Sequence, residues 1–157
     1  MKLVYIILAG ITGTATMTVI LYLLSVTTNR ALHVPQVLGT MLLGKTHSNG
    51  SLSQAPSARI VGTIAHFIVG ILFAIAYLAF WESGVGTLTF SWSLLMGFAN
   101  GIFAMIAWYF FFLIHPKPPI IKLERYLVTL IFAHVIFGFI VTYVYYLLTI
   151  NEHNFWQ

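Results

Sequence analysis

The 157-residue sequence has no cysteine, no aspartate and only three glutamates, Glu82, Glu124 and Glu152. The missing cysteine excludes disulfide frameworks, thiolate metal centres, cysteine nucleophiles and covalent c-type haem attachment. The scarce acids exclude the paired carboxylates of general acid–base catalysis, because no two of them lie near each other or inside an apolar run. No serine stands with a histidine and an acid in a triad pattern. The expected role is therefore non-enzymatic. Charged residues make up 6% of the chain, against about 25% in soluble domains, so the chain is not built to fold in water.

What the chain has instead is apolar length: 60% of its residues are hydrophobic. About 20 apolar residues cross a bilayer core of about 30 Å. Four runs qualify, at about 3–26, 58–80, 92–114 and 126–150. Their interiors carry no charge and no proline, so every backbone group can pair within its helix, as lipid demands. The fold class is all-α integral membrane: a four-transmembrane-helix bundle forming one membrane domain over 1–157. The first run is too long for a signal-peptide core and reads as a retained span.

The basic residues set the direction. Arg30, Lys45 and Arg59 flank or occupy the first inter-span loop, Lys117, Lys122 and Arg125 the second, and Lys2 alone lies on the other side. By the positive-inside rule both loops are cytoplasmic and both termini lie outside. The charges are thin and interleaved, so they mark topology and not a nucleic-acid footprint; the partner they imply is the lipid bilayer. Tyr5, Trp81, Trp92 and Trp156 fall at outer span ends, where amphipathic rings favour the interface.

The cytoplasmic loop 27–57 is the one sizeable polar segment. Its part 33–44 is apolar enough for a short helix on the membrane surface or tucked under the bundle, with Pro35 in its first turn and Gly44 at its end. Residues 45–54 are turn-rich and read as mobile. Pro116, Pro118 and Pro119 make a stiff extended connector after the third span.

The sequence also resembles itself. Ala65-His66, Gly70 and Tyr77 in the second span recur as Ala133-His134, Gly138 and Tyr145 in the fourth, 68 residues on. Gly13, Met17 and Ala9 match Gly101, Met105 and Gly97 at an offset of 88. The offsets differ by the difference in loop length, so the chain reads as two parallel helical-hairpin repeats. His66 and His134 then share one depth, about 10–14 Å from the cytoplasmic edge at 1.5 Å per residue. Ala58, Gly62, His66, Gly70 and Ala74 form one four-residue ridge, and Leu130, His134, Gly138 and Thr142 the other. Small residues at this spacing make contact faces between membrane helices.

Gly13, Thr14 and Met17, then Pro35, Leu38 and Gly39, then the His-x3-Gly-x6-Tyr pattern of His66 and of His134, resemble a bacterial family of small four-span membrane proteins of unknown function. The resemblance implies a four-helix fold and a bacterial inner-membrane location. It implies no activity.

Three readings of the histidines stay open. In the first, each imidazole makes an interhelical hydrogen bond in a small membrane protein, an accessory subunit of a larger complex or a homo-oligomer. In the second, His66 and His134 ligate one haem b from opposite faces, with Arg59 and Arg125, together with Lys122, as partners of its propionates. A soft-metal variant adds Met17 and Met105, suited to Cu(I). In the third, a titratable histidine within a span serves a small transporter or proton-linked protein. Gly97-x-x-x-Gly101 is a candidate contact for oligomerisation or for packing within the chain.

Overall fold

The computed structural model describes residues 1–28, 33–149 and 154–156. Arg30, Glu152, His153 and the end of the fourth span at 150 lie outside the described residues. The described residues form five helices and no strand: α1 (Lys2–Thr28), α2 (Val34–Leu42), α3 (Pro56–Glu82), α4 (Phe90–Ile114) and α5 (Leu123–Leu148). The four long helices are long and apolar enough to cross a membrane. At 27 residues, α1 and α3 each reach about 40 Å, beyond the hydrocarbon core.

Helix α1 packs along both α3 and α5, and α4 packs along α5. Each neighbour is antiparallel: Lys2 meets Glu82 while Thr18 meets His66 across α1 and α3. The ring pairs Phe73–His134, Tyr77–Phe137 and Trp81–Tyr145 ascend in step, so α3 and α5 run parallel. The buried residues of α3 are the ridge Ala58, Gly62, His66, Gly70 and Ala74, followed by Tyr77 and Leu78.

Glycine lets these backbones touch. On α5, a Cβ built on Gly138 would stand 2.5 Å from Gly97 Cα, and one on Gly97 would stand 2.7 Å from His134 O. The Gly97-x-x-x-Gly101 face therefore packs α4 on α5 within the chain. Gly13 meets Val141 and Phe137, which brings α1 onto α5.

The two hairpins do not pack alike. Gly70 is seated against Thr14, whereas Gly138 is seated against Gly97 and Ser93. That is about two helical turns from the position the 88-residue offset gives. Nor is the α1–α5 contact matched on the other side. There α3 and α4 make no comparable backbone contact, and they meet through the Phe73–Phe103 ring pair, with centroids 5.9 Å apart.

Helix α2 is tucked under the bundle against α3. Proline stands in its first turn and Gly44, at φ +61°, follows its end. A Cβ on Gly62 would strike the Pro35 carbonyl, and one on Gly39 the Ala58 carbonyl. Residues 45–54, expected to be mobile, are tied to α2 and to the second loop. Gln36 Nε2 donates to Ser53 O (2.9 Å), Ser53 N to Thr40 Oγ1 (3.1 Å) and Ile120 N to Gly50 O (2.9 Å). His115 Nε2 donates to Met41 O at 3.0 Å and fixes the end of α4 on the end of α2. Buried polar backbone finds partners here because both loops fold onto one helix.

Candidate functional site: a histidine-lined cavity between α3 and α4

Where α3 and α4 separate, the bundle holds a cavity of about 290 Å³. Its back is formed by Met17 of α1 and by Leu130, His134 and Phe137 of α5. Its floor is Val34 and Leu38 of α2. Above it, Tyr77–Phe137 and Trp81–Tyr145 close α3 on α5. Val69, Phe103 and Ala107 line it and are exposed on the flank of the bundle. The mouth therefore faces sideways, in the middle of two spans.

His66 and His134 both line this cavity, and each is 7% exposed. They stand ten and eleven residues into α3 and α5, about 15 Å from each helix start. Their bonds differ. His134 Nδ1 lies 2.7 Å from Leu130 O in its own helix. A carbonyl only accepts, so Nδ1 carries the proton and Nε2 of the neutral ring is a bare lone pair. His66 Nε2 lies 3.2 Å from Thr18 Oγ1, whose own proton goes to Thr14 O at 2.7 Å. Thr18 must then accept from His66 Nε2, which leaves His66 Nδ1 bare. The two rings are opposite tautomers, and neither bare nitrogen has a partner among the described residues.

The other nominated residues fall elsewhere. Arg59 is exposed, bonds Gln54 Oε1 at 2.6 Å, and lines a separate groove with Thr18, Tyr22 and His33. Arg125 is exposed and does not line the cavity, and the same holds for Lys122. Met17 is buried and lines the cavity, whereas Met105 does not line it. Met105 is therefore not gathered with Met17, His66 and His134 around the cavity. Among the described residues no group of three or more His, Cys, Asp or Glu side chains is placed to hold a metal.

The residues do not fit a bis-histidine haem. A cavity of about 290 Å³ stands at the bottom of the usual range for drug-sized ligands, about 300–1,000 Å³, and a porphyrin is bulky. The nitrogen that His66 would offer is committed to Thr18. The Phe73 ring packs T-shaped against both His134 and Phe103 in the cavity wall. Among the described residues no cationic side chain borders the cavity for propionates.

Sequence reasoning passed over Asn100 and the aromatic wall. Asn100 is buried in α4 at 6% exposure and faces the Tyr77 hydroxyl, with no well-formed hydrogen bond to its Nδ2 among the described residues. The signal was available, since it is the one carboxamide in the four apolar runs. The aromatic lining, with Phe73, Phe103, Trp108 and Phe111 from facing helices, has no periodic signature in a chain that is 16% aromatic.

No protein-family model, curated protein or solved structure matches this chain.

Proposed function

We propose that this is a small non-enzymatic protein of the bacterial inner membrane that holds a compact apolar ligand taken from the bilayer in the cavity between α3 and α4. The cavity carries the reading: it is apolar, it opens on the flank of two spans, and two imidazoles are set at its back. Ligand sites of this kind pair apolar walls with a few placed polar groups. Intramembrane ionisable residues that face a cavity mark function. The closed floor of α2 and the unbroken spans favour holding over passage.

In this reading both basic loops face the cytoplasm and both termini lie outside, by the excess of Lys45, Arg59, Lys117, Lys122 and Arg125 at one end of the bundle. The hairpins descend from a duplication. It is legible in the His-x3-Gly-x6-Tyr pattern, and the second copy slipped along its partner and opened the α3–α4 side. An accessory place in a larger complex is compatible with this, the ligand being what it holds for its partners.

The test is extraction of the detergent-purified protein into organic solvent and mass spectrometry of the extract, beside an Ala104→Trp variant. Ala104 lines the cavity and is 6% exposed, so an indole there fills the space. The expected result is a near-stoichiometric apolar compound, colourless in the visible, that the variant lacks while keeping its helical spectrum. Equal contents in both proteins, or a Soret band in the wild type, would overturn the reading.

A further inference from the structure

The hydrogen bonding of the two imidazoles restricts what the cavity accepts. His134 spends its proton on Leu130 O, and His66 spends its proton on Thr18 Oγ1. Each ring keeps one nitrogen that can only accept. In an apolar cavity, buried acceptors left unpaired are costly. A ligand that donates two hydrogen bonds removes that cost, and a ligand whose polar atoms only accept sets lone pair against lone pair. The rest of the wall is aromatic, with Phe73, Phe103, Trp108 and Phe111 among the liners. Faces and edges of this kind favour a planar ring. The Trp108 indole N–H is no obstacle, because a hydroxyl oxygen also accepts.

Resting on the ligand-holding reading above, we infer that the occupant is a membrane-soluble quinol: an aromatic ring with two hydroxyls on an apolar tail, bound in its reduced form. One hydroxyl donates to His66 Nδ1 and the other to His134 Nε2. The single ring occupies the cavity of about 290 Å³, and the tail leaves between α3 and α4 beside Val69 and Ala107 into lipid. The oxidised quinone presents two carbonyl oxygens to the same two nitrogens and is rejected. The proposal is one of selective binding and includes no electron transfer.

The experiment displaces a fluorescent apolar probe from the wild-type protein in nanodiscs with three compounds of equal tail length. These are decylbenzoquinol kept reduced, the corresponding quinone, and decylbenzene. The quinol is expected to bind about tenfold or more tighter than the quinone, the scale of one to two hydrogen bonds. That preference is expected to vanish in His66→Leu and in His134→Leu, while decylbenzene binding persists in both. Quinol and quinone binding alike, with decylbenzene also binding, overturns the quinol assignment and leaves the ligand-holding reading intact. Failure of all three compounds to displace the probe overturns both. The wild-type comparison decides the matter even if a variant does not fold.

Discussion

Replacing Gly138 with leucine is expected to abolish the folded protein. Gly138 lies where α5 meets α4 backbone to backbone, with Gly97 Cα at 2.5 Å and Ser93 O at 2.7 Å from a Cβ built there. None of those atoms is the end of a flexible side chain. Overpacking a core by a methylene or two already costs about 1–3 kcal/mol, and a leucine here asks two helices to part along their tightest contact. The cavity is lost with them, because α5 carries His134 and α4 the facing aromatic wall. The check is size-exclusion and circular dichroism of the solubilised protein, and the variant is expected to aggregate or melt tens of degrees early. Phe132→Ala, on a face of α5 that is 67% exposed, is expected to behave as wild type.

Gly62→Leu should have the next largest effect, and it acts on a different joint. Gly62 faces the Pro35 carbonyl and stands 2.7 Å, by its built Cβ, from Gly39 N. A side chain there lifts α2 off α3, takes Val34 and Leu38 out of the cavity floor, and releases the hydrogen bonds that hold residues 45–54. Limited trypsin digestion reads this as faster cleavage at Lys45, together with a loss of stability of about 1–3 kcal/mol or more. Ile64→Ala, at a residue of α3 that is 56% exposed, is expected to leave both unchanged.

The parts of this architecture that follow from one helix at a time were legible in the sequence. The ridge from Ala58 to Ala74 could be read because a contact face between membrane helices needs small residues four apart, and that face of α3 is buried. The tuck of α2 was one of two readings of an apolar segment with Pro35 and Gly44. What could not be read is how two faces slide on each other. The 88-residue offset pairs Met17 with Met105. The observed register is set by Gly97 and Gly138 meeting directly, a choice that depends on both surfaces at once. Nor could one helix at a time show that α3 and α4 stay apart with the cavity between them. The direction of Arg59 was equally hidden, because a long side chain at a span end reaches any of several partners and here takes Gln54. For the histidines, spacing placed both rings inside. Only the partners Thr18 and Leu130 reveal which nitrogen each ring keeps.

Whether the cavity admits apolar molecules from the bilayer between α3 and α4 is decided by photolabelling the protein in liposomes with a small phenyl-diazirine and mapping the adducts by peptide mass spectrometry. Saturable labelling is expected, concentrated on Val69, Phe73, Phe103 and Ala107 and suppressed by Ala104→Trp. Labelling spread evenly over the outer faces, with Ile64, Phe110 and Phe132 marked as strongly as the mouth and no response to the filled cavity, would contradict it.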